Sequence, residues 1–167
     1  MNIIAEIPDK ASFQAYGSFV SVEPTQSGEG TESFTFWDKL CTFSLSQGSL
    51  GLVRSYPRVK PICSSLERHK ESSEVLIPVM VPVAVICALS SARDENTVDR
   101  KTIKALVVSP GEALVLHPGV WHSAPYVHRE TADTFVIFRN DTLRNDLIKV
   151  DFPPEERLSL SFETLED

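Results

Sequence analysis

Short stretches rich in Val, Ile, Phe and Thr recur along most of the chain, separated by clusters of Gly, Pro, Ser and Asn. This pattern is typical of strands joined by turns rather than of amphipathic helices. Only the segment KASFQAY, between Asp9 and Gly17, has the acidic start and glycine stop of a short helix. We predict strands at 19–22, 35–46, 50–56, 64–69, 74–89 with interruptions at its prolines, 103–108, 113–116, 134–138 and 158–162.

The number of short strands and the eleven prolines predict an all-β sandwich or barrel. A chain of 167 residues fits one domain, which we expect to span residues 1–167. Two polar segments, 23–33 and 90–101, are predicted to be loops. The second is expected to link two halves of the sheet system.

Charge and hydropathy exclude several classes of partner. The 16 Lys and Arg against 23 Asp and Glu give a net charge of −7, which disfavours nucleic acid. The longest uncharged apolar run, 75–89, contains two prolines and is shorter than the roughly 20 residues of a membrane-spanning helix. No secretory signal is visible, and the three cysteines form no CxxC pair. We therefore predict no nucleic-acid or membrane partner and a cytoplasmic location.

Two of the four histidines lie where they could bind a metal ion. In LERHKESSEVLIPV, residues 66–79, Glu67 and His69 are two positions apart, so strand alternation directs both to one face. The polar KESS tract after His69 can supply a turn that brings Glu74 back beside them. In GEALVLHPGVWHSAPY, residues 111–126, a strand turns at HPG and returns to His122.

Glu67, His69, Glu74 and His122 together provide two carboxylates and two imidazoles, a mixed set that suits Mn, Fe, Ni, Co or Zn. Each motif alone has a plainer interpretation. A charged tract is commonly a solvated face, and a single buried histidine is commonly a hydrogen-bonded core residue. The conjunction of the two motifs predicts a divalent metal ion as cofactor.

These two motifs resemble the paired motifs of the cupin superfamily. Proteins of this superfamily are small β-barrels that hold a metal ion inside. The resemblance implies a double-stranded β-helix, or jelly roll, with a short N-terminal helix. Glu67 stands where the first motif usually has a histidine. Pro118 lies one position away from the proline of the second motif.

The string LERHKESSEVLIPV, with VRSYPR upstream and GVWHSAPY downstream, is similar to the ureidoglycolate lyase family. This resemblance implies an amidine-type lyase of purine and allantoin catabolism that cleaves ureidoglycolate to glyoxylate and urea, and a homodimer. It implies His69, Glu74 and His122 as metal ligands, with Glu67 as a fourth ligand or as the base that takes the hydroxyl proton. Lys70, Glu74 and Ser123 depart from the family pattern, and these departures bear on substrate identity.

The carboxylate of such a small-molecule substrate requires a cationic partner. Arg54 and Arg139 are candidates because each ends a predicted strand. Tyr126, at the end of the second motif, is a further candidate for binding the substrate, through its hydroxyl group. Two other interpretations stay open. One is another metal-dependent cupin enzyme, an oxygenase or an isomerase, and the other is a cupin that binds a small ligand without catalysis.

Overall fold

The computed structural model describes residues 1–23 and 26–162. In this part of the chain, no helix is long and apolar enough to cross a membrane. The strands are Asn2–Glu6 (β1), Gly17–Ser21 (β2), Glu29–Thr31 (β3), Phe34–Phe36 (β4), Gly48–Ser55 (β5), Ile62–Cys63 (β6), Ser65–Arg68 (β7), Glu74–Pro78 (β8), Val83–Ala88 (β9), Lys104–Val108 (β10), Glu112–Leu116 (β11), Trp121–His122 (β12), Ala132–Arg139 (β13), Ile148–Asp151 (β14) and Leu158–Ser161 (β15); the α-helices are Lys10–Phe13 (α1) and Thr142–Asn145 (α2).

Two sheets account for most of the strands. The larger has the order β14-β7-β12-β9-β10-β1-β15-β6, and the smaller has the order β2-β11-β8-β13-β5. Strands β3 and β4 form a separate hairpin. Strand β1 runs parallel to β10 and β15, whereas the other pairs are antiparallel. The predicted all-β class is confirmed. The predicted short N-terminal helix is confirmed as α1, whose N-cap Asp9 accepts hydrogen bonds from two backbone N–H groups.

Strand β9 shows how the core is divided. All six of its residues are buried, so both faces of the strand are covered. Val83, Val85 and Cys87 contribute to a cluster that also contains residues of β8, β11 and β13 and therefore lies between the two sheets. Ala84, Ile86 and Ala88 contribute to a second cluster on the opposite face of the larger sheet. The metal-binding candidates lie on the same side of the larger sheet as the first cluster, the side that faces the smaller sheet.

Three sequence predictions need correction. Of the predicted strand 35–46, only the first residues belong to β4, because residues 37–47 have no strand partner along their length. The predicted loop 23–33 contains β3, and its residues 24 and 25 lie outside the described part. Loop 90–101 connects β9 and β10, which are antiparallel neighbours in one sheet, rather than two halves of the fold.

Candidate metal centre

The larger sheet places Glu67 and His122 side by side. In the antiparallel pairing of β12 with β7, these two residues lie directly opposite each other, so their side chains project from the same face. His69 follows β7 immediately and lies two positions beyond Glu67. Ligand atoms of Glu67, His69 and His122 all lie within 4.8 Å of one another.

Glu74 joins this group through a single carboxylate oxygen. Its Oε2 lies 3.1 Å from Nε2 of His69 and 3.2 Å from Nε2 of His122. Both imidazoles and the Glu74 carboxylate are buried, whereas Glu67 is half-buried. The structure therefore brings together the four residues of the two sequence motifs: Glu67 on β7, His69 just after it, Glu74 at the start of β8 and His122 on β12.

Backbone carbonyl groups fix the orientation of both imidazoles. Nδ1 of His69 lies 3.1 Å from the carbonyl oxygen of Asp146, and Nδ1 of His122 lies 3.0 Å from that of Val120. Because a carbonyl can only accept, each Nδ1 carries the proton, and a neutral ring then has its lone pair on Nε2. Neither Nε2 makes a well-directed hydrogen bond. Two lone pairs and a carboxylate oxygen thus converge in a buried space, an arrangement that could hold a metal ion.

The charges in this cluster are strongly coupled. Burial acts to raise the pKa of Glu74, but the positive charge of the adjacent imidazoles outweighs it and lowers that pKa to about 2. Burial acts to lower the pKa of His122, but the negative charge of Glu74 outweighs it and raises that pKa to about 9. In the protein without metal, a proton on His122 therefore compensates the charge of Glu74.

This coupling predicts how the stability of metal-free protein depends on pH. Glu74, with its pKa lowered from 4.5, stabilises the fold above pH 4.5, and this contribution is lost as the pH falls toward 2. His122, with its pKa raised from 6.5, stabilises it below pH 6.5, and this contribution is lost as the pH rises toward 9. The free energy of unfolding, measured with urea in the presence of a chelator, should fall by up to about 3 kcal/mol between pH 6.5 and 9.

The matched variants are Glu74→Gln, which removes the buried negative charge, and Glu71→Gln, which removes an exposed one. We expect Glu74→Gln to lose the decrease in stability above pH 6.5 and Glu71→Gln to retain it. An equal decrease in both variants would contradict the coupling of Glu74 to His122.

The turn between His69 and Glu74 is held by a residue that sequence reasoning missed. The buried carboxylate of Asp146 accepts hydrogen bonds from the backbone N–H groups of Lys70 and Glu71, each at 2.8 Å. The same residue accepts from His69 through its carbonyl oxygen. Asp146 therefore fixes both the path of the turn and the direction of one imidazole. Nothing near Asp146 in the sequence signals this role, because its partners are 75 to 77 residues away.

Replacing Asp146 with asparagine is therefore expected to weaken divalent-metal binding about 10- to 100-fold, the usual range for residues that orient a metal ligand. An asparagine side chain keeps only one acceptor oxygen, so one of the two N–H groups loses its partner. Isothermal titration calorimetry would measure the change. The exposed Asp141→Asn, at the start of the same helix α2, is the control and should bind as the unmodified protein does; equal affinity in both variants would contradict this role.

The structure places the three predicted substrate-binding residues as follows. Arg54 makes a bidentate contact with Asp133 at 2.7 and 2.8 Å on the exposed face of β5. Tyr126 packs beside the buried Cys63 and lines the same surface cavity as Arg54, which none of the four metal-binding candidates lines. Arg139, at the end of β13, donates to Glu71 at 2.8 Å and to Ser72 through its backbone N–H. Of the three, Arg139 is the one connected to the turn that follows His69.

Comparison with known proteins agrees with the two motifs. The model of the family described as ureidoglycolate lyase matches residues 2–159. The chain belongs to the ureidoglycolate lyase family. No curated protein matches the chain.

Solved structures show which fold this ureidoglycolate lyase family member adopts. A point mutant of the 3,4-ketoisomerase QdtA from Thermoanaerobacterium thermosaccharolyticum has a TM-score of 0.52 at 13% identity and covers 78% of this chain and 85% of that chain. A dTDP sugar isomerase from Desulfovibrio desulfuricans G20 has a TM-score of 0.51 at 12% identity, covering 77% and 83%. These similarities confirm the predicted cupin-like barrel.

An oxalate decarboxylase from Lactobacillus farciminis is also similar, with a TM-score of 0.44 at 16% identity over 63% of this chain. The chain spans 26% of the length of that decarboxylase.

Proposed function

We propose that this protein is a ureidoglycolate lyase that cleaves ureidoglycolate to glyoxylate and urea with the help of a divalent cation. Membership of the family supports the reaction class. One structural observation supports the cation: the unpartnered Nε2 atoms of His69 and His122 both lie 3.1–3.2 Å from the same oxygen of Glu74. Nickel, manganese, zinc or iron would each accept this set of donors.

His69, Glu74 and His122 would hold the ion. When bound, a divalent cation supplies positive charge that favours the ionised form of a nearby hydroxyl group. The ion would also replace the proton on His122 as the charge that compensates Glu74. This role explains why an anionic side chain and two imidazoles can share a buried space without a large cost in desolvation.

Glu67 is the residue that we assign to proton transfer. Among the described residues it forms no ion pair, whereas Glu74 contacts both imidazoles. The carbon that reacts in ureidoglycolate bears a hydroxyl group and a urea nitrogen. Glu67 would accept the hydroxyl proton while the carbon–oxygen double bond forms and the carbon–nitrogen bond breaks. It would then return the proton to the urea nitrogen, which keeps the electron pair of the broken bond, so the products are glyoxylate and urea.

Arg139 is the residue that we assign to the carboxylate of the substrate. Its Nε is buried and has no hydrogen-bond partner, so this N–H remains available to an anionic group. Both arginines form an ion pair, but Arg54 already donates its Nε–H, together with Nη2, to Asp133, and Tyr126 lines a different cavity. The structure therefore gives less support to these two residues as contacts of the substrate.

The activity is tested directly. Chelator-treated protein is loaded with nickel, manganese, zinc or iron in separate samples and incubated with ureidoglycolate. Glyoxylate and urea are quantified against an enzyme-free sample, because the substrate also decays spontaneously. We expect equal amounts of the two products and a rate well above background for at least one metal. Rates equal to background with every metal would overturn the proposal, and metal-dependent oxygen consumption would instead indicate an oxygenase.

A further inference from the structure

A buried arginine lies on the larger sheet directly behind the metal centre. Arg68 is the last residue of β7, between Glu67 and His69. Because successive side chains of a strand point to opposite faces, its guanidinium lies on the face away from the centre. Only 2% of the residue is exposed. Burial of a guanidinium costs desolvation free energy that an apolar side chain would not cost, so its presence here indicates a specific contact.

The side chain of Arg68 contacts Trp121 across the two strands. In the antiparallel pairing of β12 with β7, His122 lies opposite Glu67. One residue further on in the same register, Trp121 therefore lies opposite Arg68. The guanidinium carbon lies 4.6 Å from the centroid of the indole ring, within the range of a cation–π contact. Trp121 is fully buried in the core cluster of the outer face, so this contact lies on the reverse side of the Glu67–His122 pair.

Loop 90–101 supplies the polar partners of both side chains. Oγ of Ser90 accepts a hydrogen bond from Nη1 of Arg68 at 3.0 Å and one from Nε1 of Trp121 at 3.1 Å. Nη2 of Arg68 donates to Oδ1 of Asn96 at 2.8 Å. The indole ring on one side and the loop on the other thus hold the guanidinium in one orientation.

The pairing of β7 with β12 needs such support because β12 is short. It has two residues and is in register with β7 at the Glu67–His122 pair. A shift of one residue would exchange the faces and remove Glu67 or His122 from the centre. The contact of Arg68 with Trp121 opposes this shift, since it joins the same two strands one residue further on. The carbonyl group that orients His122 belongs to Val120, the other neighbour of Trp121.

We propose that Arg68 is a positioning residue of the metal centre. Its contact with Trp121 holds β7 and β12 in the register that keeps Glu67 and His69 beside His122. The proposal rests on the divalent cation of the proposed function but not on the lyase reaction. A lysine could not take this role, because a single ammonium group does not lie flat on an indole ring while it donates to two separated acceptors.

Cobalt(II) binding by the full chain tests this role. Calorimetry of chelator-treated protein gives the affinity, and visible absorption reports the coordination geometry. We expect Arg68→Met to bind cobalt(II) about 10- to 100-fold more weakly and with a changed spectrum, the usual effect of losing a group that orients a ligand. The control is Arg100→Met, because Arg100 also contacts an aromatic ring, that of Phe152 at 5.1 Å, outside β7 and β12. It should bind as the unmodified protein does.

Proton NMR of the metal-free protein gives a measurement that needs no cation. The Nδ1–H group of His122 is buried and donates to a backbone carbonyl, so it should exchange slowly with solvent. In Arg68→Met this exchange should be about tenfold faster, because the pairing of β12 opens more often. Asn96→Ala changes an exposed residue and should fold, and it should accelerate the exchange by a smaller factor.

Two results would overturn the proposal. One is an unchanged exchange rate of His122 in Arg68→Met, or in Asn96→Ala if the first variant does not fold. The other is an equal acceleration in Arg100→Met. If the unmodified protein bound no divalent cation, the proposed function would fail instead, and the exchange of His122 would still decide the role of Arg68.

Discussion

His69→Ala and His122→Ala are each expected to abolish stoichiometric binding of a divalent ion and to lower lyase turnover by about a thousandfold. Each substitution removes one of two buried Nε2 atoms that approach the same oxygen of Glu74. The remaining donors would have to hold the ion without one imidazole, and a bound metal ion supplies several kcal/mol of charge stabilisation in reactions of this kind. Elemental analysis of protein purified without chelator measures the binding, and release of glyoxylate measures the turnover.

His117→Ala is the matched control for these variants. His117 is exposed in the turn that precedes His122, where its backbone N–H donates to the carbonyl oxygen of Tyr16. This control should keep both the metal and the activity, because its side chain takes no part in the cluster. If His69→Ala and His122→Ala retained a stoichiometric ion, the assignment of the metal centre would be wrong.

The residues that meet at the centre could be predicted from sequence because they follow local rules. The two-residue spacing of Glu67 and His69 depends only on strand alternation, and the structure has both on the side of His122. Glu74 is five residues beyond His69, so its approach required a turn. The polar KESS tract predicts that turn, and in the structure the turn is formed by the residues of this tract.

What holds the centre in place could not be predicted in the same way. The turn depends on Asp146, and the orientation of His122 depends on the carbonyl group of Val120. The first contact joins segments that are distant in the chain, and the second is a backbone contact that any residue type could make. Neither leaves a pattern in a single sequence.

The same limit applies to the two arginines. Both arginines lie at strand ends, as predicted, since β13 ends at Arg139 and Arg54 is the penultimate residue of β5. Their ion pairs with Glu71 and Asp133 depend on how strands and turns 68 and 79 residues apart lie beside each other. Because a shift of one residue in the pairing of strands exchanges the two faces, these partners follow from register rather than from composition.

The strand predicted at 35–46 fails for a related reason. Its aromatic and aliphatic residues have high strand propensity, but propensity reports how well a side chain fits a half-buried sheet. Phe34, Phe36 and Phe43 are exposed in the monomer, and only the short pairing of β3 with β4 forms there. Strand formation therefore required a neighbouring strand that the monomer does not provide along this segment.

Glu67→Gln is expected to lower kcat by about 10²- to 10⁴-fold while leaving metal binding within a few fold of the unmodified protein. The substitution keeps the size of the side chain and its position opposite His122, but an amide oxygen cannot take up a hydroxyl proton as a carboxylate does. Initial rates of glyoxylate release give kcat, and elemental analysis of the same sample gives the metal content. Glu130→Gln, which removes the charge of an exposed glutamate outside the cluster, is the control and should keep kcat within a few fold. Metal loss in Glu67→Gln that parallels the fall in kcat would identify Glu67 as a fourth ligand. An unchanged kcat would show that Glu67 takes no part in the reaction. His69, Glu74 and His122 would then suffice both to hold the ion and to support proton transfer.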